Sequence, residues 1–138
     1  MSKTARDVMS KELLTVTPAT SITDFARLCS EDRISGAPVV RVDGVLVGIV
    51  SKTDLIDRLL ADGPKFGASR EDSAWDPDDR AVEEIMQEEV LTCDPRTPLP
   101  VIAEKMAEQR IHRVVVIEKD RPVGIVTSID LLRHFPTS

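Results

Sequence analysis

The sequence repeats itself, and this repeat constrains the fold more than any other feature. Val8-Met9 recurs as Ile85-Met86, at an offset of 77 residues. After one residue is lost in a turn, Val47-Gly48-Ile49-Val50 matches Val123-Gly124-Ile125-Val126 at an offset of 76. Ordered matches with a single gap placed in a turn indicate that one structural unit is present twice.

The repeat divides the chain into three segments. We predict repeat 1 over residues 4–60, a linker rich in Gly, Pro, Ser and Asp over 61–80, and repeat 2 over 81–135. A segment of about 55 residues buries too little apolar surface to be stable alone. We therefore expect the two halves to pack sheet to sheet about a pseudo-twofold axis.

Each half has the same predicted order of elements: strand, helix, strand, strand, helix. Ser21 is a helix N-cap candidate, and the apolar residues from Ile22 to Cys29 recur at helical spacing. In the second half, Pro98 and Pro100 fit only the first turn of a helix. Asp43-Gly44 between two β-rich runs predicts a hairpin. The predicted fold class is α/β (α+β), with two β-α-β-β-α repeats.

Composition excludes several functions. The chain carries a formal charge of −6 without a cluster of Lys and Arg, and its aromatic content is 3%. Binding to nucleic acid needs clustered positive charge or aromatic stacking surfaces, so no nucleic-acid partner is expected. No apolar run approaches the roughly 20 residues that span a bilayer. With no signal peptide recognised either, the expectation is a cytoplasmic protein without membrane contact.

Metal binding and catalysis find no support in the motifs. Cys29 and Cys93 do not occupy matching positions, and His112 and His134 lack acidic partners at ligand spacing. The acidic residues of the linker lack the spacing of a calcium loop. No nucleophile elbow, zinc-protease motif or phosphate-binding loop is present. We expect no metal, no required cofactor and no enzyme activity.

The most informative segments join a buried strand to a helix. In the first half Ser51, Thr53 and Asp54 follow such a strand. A helix N-terminus favours a phosphate, a hydroxyl adds a donor, and a carboxylate can accept from both hydroxyls of a ribose. Thr127 and Asp130 keep the same spacing in the second half. The same residue types are also ordinary helix caps, and both interpretations remain open at this point.

These features together resemble a CBS-domain pair (Bateman module), here as a stand-alone tandem repeat. The resemblance rests on the order of elements, the internal repeat, the Thr17-Pro18 and Asp94-Pro95 turns and the two strand–Gly-Ile-Val-[Ser/Thr]-x-x-Asp–helix segments. It implies a regulatory sensor that binds AMP, ADP or ATP in the cleft between the repeats. S-adenosylmethionine is an alternative ligand, and a ligand-free dimerisation and protein-interaction module is an alternative function.

The resemblance also assigns roles to residues. It implies that Ser51 and Thr127 bind phosphate and that Asp54 and Asp130 bind ribose. The basic residues His112 and Arg113, aligned with Ser35-Gly36, would reach phosphates. The residues implied to line the two adenine pockets are Val16, Thr17, Ala37, Pro38 and Val39 for the first, and Cys93, Val114, Val115 and Val116 for the second.

Two further expectations follow. The first site keeps both hydroxyls, whereas Ile129 replaces Thr53 in the second, so we expect the first site to bind at least as well. Members of the family commonly form flat dimers, so a homodimer is expected, with an unidentified effector protein as a further partner. The apolar helix faces beginning at Ile22 and Val101 are candidates either for the dimer contact or for the internal core.

Overall fold

The structure is a computed structural model that describes residues 3–62 and 80–134. Trp75, the acidic linker residues and Phe135, at the predicted end of the last helix, lie outside the described residues. The elements in chain order are α1 (Ala5–Val8), α2 (Ile22–Glu31), β1 (Gly36–Val40), β2 (Leu46–Ser51), α3 (Lys52–Asp62), a 3₁₀ turn (Val82–Glu84), β3 (Thr92–Cys93), α4 (Leu99–Gln109), β4 (Arg113–Glu118), β5 (Arg121–Thr127) and α5 (Ser128–Arg133).

The chain folds into two compact units. The repeat-1 unit comprises Thr15–Asp43 and Val47–Glu88. The repeat-2 unit comprises Met1–Leu14, Gly44–Leu46 and Glu89–Ser138. The architecture is mixed α/β with two sheets, which confirms the predicted fold class.

The repeat-1 unit is built on the β1–β2 sheet. The predicted leading strand is reduced to a single parallel bridge, in which Val16 pairs with Val39 and donates its N–H to the carbonyl of Pro38 at 3.0 Å. Ser21 caps α2 as predicted, because its hydroxyl accepts from the N–H of Asp24 at 3.0 Å. Gly44 has φ +88°, a left-handed conformation that glycine adopts without strain in the predicted hairpin turn.

The repeat-2 unit contains a three-stranded sheet in the order β3-β4-β5. β3 runs parallel to β4, and β4 runs antiparallel to β5, with Arg113 opposite Thr127 at one end. Pro98 is the N-cap of α4 and Pro100 lies in its first turn, as the sequence predicts. Arg110 follows α4 as its C-cap residue and takes the left-handed conformation with φ 54°.

Each unit has its own hydrophobic core. The predicted apolar face of α2 packs internally, since Ile22 and Phe25 are buried in the repeat-1 core with Val39 and Val50. In the repeat-2 core, Ile102 and Met106 of α4 pack with Val114 and Val116 of β4. The candidate faces of α2 and α4 therefore contribute to the cores through these residues, whereas Val101 at the start of the α4 face is 40% exposed.

The short leading segment of each repeat belongs to the core of the other repeat's unit. Ala5 and Val8 of α1 are buried in the repeat-2 core, and Val82 and Ile85 are buried in the repeat-1 core. Backbone bridges fix both segments: Ser10 pairs with Ile125 in β5, and Gln87 pairs with Ile49 in β2.

The exchange explains why a glycine stands at the same position in both repeats, at Gly48 and at Gly124. A Cβ atom on Gly48 would lie 2.8 Å from the carbonyl oxygen of Gln87 and 2.9 Å from the sulfur of Met86. A Cβ atom on Gly124 would overlap the side chain of Met9. The Gly-Ile-Val motif of each strand is therefore a close-contact surface for the methionine of an exchanged segment.

Over residues 3–62 and 80–134, none of the helices combines the length and the apolar character that a membrane span requires.

Candidate functional site

The first strand–helix junction is organised around the carboxylate of Asp54. The backbone N–H and the hydroxyl of Ser51 donate to Asp54 Oδ2 at 2.8 and 3.0 Å. The Ser51 hydroxyl in turn accepts from the Asp54 N–H at 3.2 Å. Ser51 and Asp54 are half-buried, whereas Thr53 is exposed on the first turn of α3. The structure thus brings Ser51 and Asp54 into direct contact and leaves Thr53 on the surface.

The second junction has the same geometry. The N–H and the hydroxyl of Thr127 donate to Asp130 Oδ2 at 2.8 and 3.0 Å, and the Thr127 hydroxyl accepts from the Asp130 N–H at 3.3 Å. The anchoring of each helix is also matched, because Ser128 donates to the carbonyl of His112 and Lys52 donates to the carbonyl of Ser35, both at 2.9 Å. The sequence repeat is reproduced at the level of individual hydrogen bonds.

Both pairs form capping boxes, so the interpretation of these residues as helix caps is correct. Capping occupies Oδ2 in each carboxylate. Among the residues that the structure describes, none donates to Asp130 Oδ1. The cap therefore orients the carboxylate and leaves an acceptor oxygen at Asp130.

Asp54 differs from Asp130 in one contact that the sequence did not predict. The side-chain amide of Gln87 donates to Asp54 Oδ1 at 3.1 Å. Gln87 lies 77 residues after Ser10, so the alignment of the repeats places a glutamine in one half opposite a serine in the other. The sequence does not indicate that this position contacts Asp54, because it does not predict the exchange of leading segments.

An open cleft of about 360 Å³ adjoins Asp54. Its other charged neighbours are Asp57, Arg58 and Glu84, and the Arg58 guanidinium donates to the carbonyl of Glu84 at 2.8 Å. Backbone and side-chain hydrogen bonds, chiefly from the Ala81 N–H and then from Arg80, lower the pKa of Glu84. Glu84 is therefore a carboxylate at neutral pH, and acidic groups predominate around this cleft.

The basic residues predicted to reach phosphates lie beside the second junction. Arg113 stands directly opposite Thr127 in the β4–β5 ladder, where side chains of paired residues are neighbours. His112 is exposed and immediately precedes β4. The corresponding residues of repeat 1 are Ser35 and Gly36, so only the second junction has a guanidinium at this position.

The apolar residues assigned to the adenine pockets are buried. Val16, Ala37 and Pro38 are buried in the repeat-1 unit, and Cys93 and Val114 are buried in the repeat-2 unit. Burial raises the pKa of the Cys93 thiol, so it remains a neutral apolar group near neutral pH. Thr17 is exposed in the turn that follows Val16, and its N–H donates to the hydroxyl of Thr20 at 3.0 Å. Contact of these residues with an adenine stays a prediction.

Within residues 3–62 and 80–134, no three side chains of His, Cys, Asp and Glu cluster as metal ligands would. The half-buried Cys29 and the buried Cys93 are both free thiols.

Comparison with known families finds the same domain twice in the chain. The CBS domain family model matches residues 5–61 and again residues 82–137. The solved CBS domain pair of protein MJ0100, in complex with 5′-methylthioadenosine and S-adenosyl-L-methionine, superposes with a TM-score of 0.82. That pair is 29% identical, and the superposition covers 98% of this chain and 97% of the other.

Curated relatives fall into two kinds. Hypoxic response protein 1 of Mycobacterium tuberculosis is 29% identical over 133 residues, which is 96% of this chain and 85% of that protein. Homoserine O-acetyltransferase of Methanohalobium evestigatum is 35% identical over 128 residues, which is 92% of this chain but 23% of the enzyme. The chain thus spans less than a quarter of that enzyme.

Proposed function

The chain belongs to the CBS domain family, whose pairs are regulatory ligand-binding modules, and we propose that it binds adenosyl ligands at the two strand–helix junctions. AMP, ADP and ATP are the first candidates. The observation that carries the proposal is the carboxylate of Asp130, which its cap orients and which retains Oδ1 as an acceptor. A ribose diol is a suitable donor for such an oxygen.

The surroundings of Asp130 favour a phosphate on the same ligand. Arg113 lies across the ladder from Thr127, and a guanidinium matches the geometry of a phosphate. A ribose hydroxyl on Asp130 and a phosphate near Thr127 and Arg113 would together orient an adenine nucleotide. The adenine would then pack against apolar strand residues, for which Cys93 and Val114 remain the proposed contacts.

S-adenosylmethionine is the second candidate, and a specific observation favours it at the first junction. The cleft beside Asp54 is bordered by the carboxylates of Asp54, Asp57 and Glu84. Its volume of about 360 Å³ lies within the range of small-molecule pockets. Negative charge disfavours a polyphosphate and favours a ligand with a sulfonium and an amino group. The MJ0100 pair in complex with S-adenosyl-L-methionine supports the same ligand class.

We expect wild-type protein to be stabilised by adenosyl ligands. A ligand at 100 times its dissociation constant adds about 2.7 kcal/mol to the free energy of unfolding, which is several degrees in melting temperature. Thermal melts with AMP, ADP, ATP and S-adenosylmethionine measure this, and GMP is the control. If none of the adenosyl compounds raises the melting temperature at millimolar concentration, the sensor proposal fails and the ligand-free interaction module replaces it.

We further propose a homodimer formed through the exposed apolar side chains of the closing helices. On α5, Ile129 and Leu132 are 57% and 70% exposed. A groove of about 620 Å³, lined mainly by apolar residues of α4 and α5, lies beside Leu132. Large apolar side chains next to an apolar groove are typical of an association surface.

Light scattering at tens of micromolar should therefore give the mass of a dimer. Leu132→Glu should shift the protein to the monomer, because a carboxylate in the contact must be desolvated. Val42→Glu is the matched control, since Val42 is fully exposed outside the helices. A monomeric wild-type protein would contradict the proposal, and so would a dimer that Leu132→Glu leaves intact.

A further inference from the structure

The two strand–helix junctions have nearly the same hydrogen bonds, so a contact that is present at one and missing at the other stands out. The bonds within Ser51–Asp54 and Thr127–Asp130 agree to within 0.1 Å. The exchanged segments that lie beside them are also fixed in the same way. Gln87 and Ile49 exchange backbone hydrogen bonds of 2.8 and 2.9 Å, and Ser10 and Ile125 exchange bonds of 2.9 and 3.2 Å.

The difference lies in the side chain that each exchanged segment presents. Gln87 donates from Nε2 to Asp54 Oδ1 at 3.1 Å. Ser10 holds the equivalent backbone position, and across the described ranges no side chain donates to Asp130 Oδ1. Within the described residues, both oxygens of Asp54 thus accept hydrogen bonds, whereas Asp130 accepts at Oδ2 alone.

We propose that Gln87 is a specificity-determining residue that occupies the ribose-binding oxygen of Asp54 and makes the first site the weaker of the two for adenine nucleotides. This inference rests on the proposed adenosyl-binding function. A ribose hydroxyl that approaches Asp54 Oδ1 competes with the Gln87 amide, while a hydroxyl that approaches Asp130 meets no such competitor. The absence of a guanidinium counterpart to Arg113 in repeat 1 acts in the same direction.

The proposal reverses the order of affinities expected from the sequence. That expectation rested on Thr53, the additional hydroxyl of the first junction, which is exposed and at the surface of α3. The contact that distinguishes the sites comes instead from a residue 33 positions after Asp54. The two sites would therefore fill in sequence as the concentration of an adenine nucleotide rises, the Asp130 site first.

A reciprocal exchange of the two residues tests the proposal. Gln87→Ser gives the first site the residue of the second, and Ser10→Gln does the reverse. Gln87 and Ser10 are both exposed, so neither change should disturb a core. Each site is measured alone by calorimetry, the first in an Asp130→Ala background and the second in an Asp54→Ala background.

AMP and S-adenosylmethionine serve as ligands, and 2′,3′-dideoxy-AMP, which lacks the ribose diol, is the control. A hydrogen bond to a charged group is sufficient for about a tenfold change in affinity. We expect Gln87→Ser to strengthen binding of the diol ligands at the first site by about 3- to 10-fold, and Ser10→Gln to weaken it at the second by a similar factor. Binding of the dideoxy compound should not change.

Several results would overturn the inference. Unchanged or weaker diol binding in Gln87→Ser would do so, as would an equal change with the dideoxy compound, because both indicate a role other than competition for the diol. A first site that binds AMP more tightly than the second would also contradict it. Failure of wild-type protein to bind any adenosyl ligand would instead overturn the proposed function on which the inference rests.

Discussion

Asp130→Ala is expected to weaken adenosyl-ligand binding at the second site about 10- to 100-fold. In the proposed site the carboxylate would offer its Oδ1 to the ligand, and a hydrogen bond to a charged group contributes roughly 1.5–3 kcal/mol. Since about 1.4 kcal/mol corresponds to a factor of ten, this loss gives the expected range. Calorimetry in an Asp54→Ala background measures the second site without interference from the first.

The matched control for this variant is Asp7→Ala. Asp7 forms the same type of capping box on α1, where its Oδ2 accepts from the N–H and the hydroxyl of Thr4 at 2.8 and 3.2 Å. Asp7 belongs to the same unit but not to either junction. Asp7→Ala should therefore leave ligand affinity unchanged. If Asp130→Ala also leaves it unchanged while the wild type binds, Asp130 is a helix cap and nothing more.

Gly48→Ala is expected to lower the free energy of unfolding by about 1–3 kcal/mol, the usual cost of overpacking. The new methyl group would lie 2.8 Å from the carbonyl oxygen of Gln87. That carbonyl cannot retreat without weakening its hydrogen bond from the Ile49 N–H, which is 2.9 Å long. Urea denaturation of wild type and variant measures the change.

Gly124→Ala separates a backbone clash from a side-chain clash. Its two nearest neighbours are the sulfur and Cγ of Met9, which move when that side chain changes rotamer, while Met9 Cβ stays at 3.0 Å. We expect Gly124→Ala to cost less in a Met9→Ala background than in the wild type. Gly48→Ala should remain costly in a Met86→Ala background, because the Gln87 carbonyl is still there. Equal behaviour of the two double-mutant cycles would show that the backbone contact is not decisive.

Local patterns predicted most of the secondary structure. The Ser21 cap, the proline-initiated α4, the hairpin at Gly44 and both strand–helix junctions are encoded within a few residues of chain. Such features depend on backbone geometry and nearby hydrogen bonds, which a single sequence exposes directly. The prediction of a leading strand in each repeat is only partly correct, since repeat 1 has a single bridge at Val16 where repeat 2 forms β3.

Contacts between residues far apart in the chain could not be predicted from the sequence. Gln87 lies 33 residues from Asp54, and nothing in its neighbourhood marks it as a partner of that carboxylate. The buried positions of Ala5 and Val82 depend likewise on which repeat receives each leading segment. A duplicated sequence is compatible with either assignment, because both repeats present the same glycine-containing strand. Which segment packs on which strand depends on tertiary packing, and this is not a local property of the sequence.

The exchange of leading segments has a consequence for how the protein unfolds. Neither repeat contains all of its own core, since Val82 and Ile85 stabilise the repeat-1 unit and Ala5 and Val8 stabilise the repeat-2 unit. A chain divided between residues 62 and 80 would deprive each half of two buried side chains. Loss of structure in one repeat likewise withdraws packing from the other. We therefore expect the two cores to unfold in one cooperative transition, with the stability of each half depending on the whole chain.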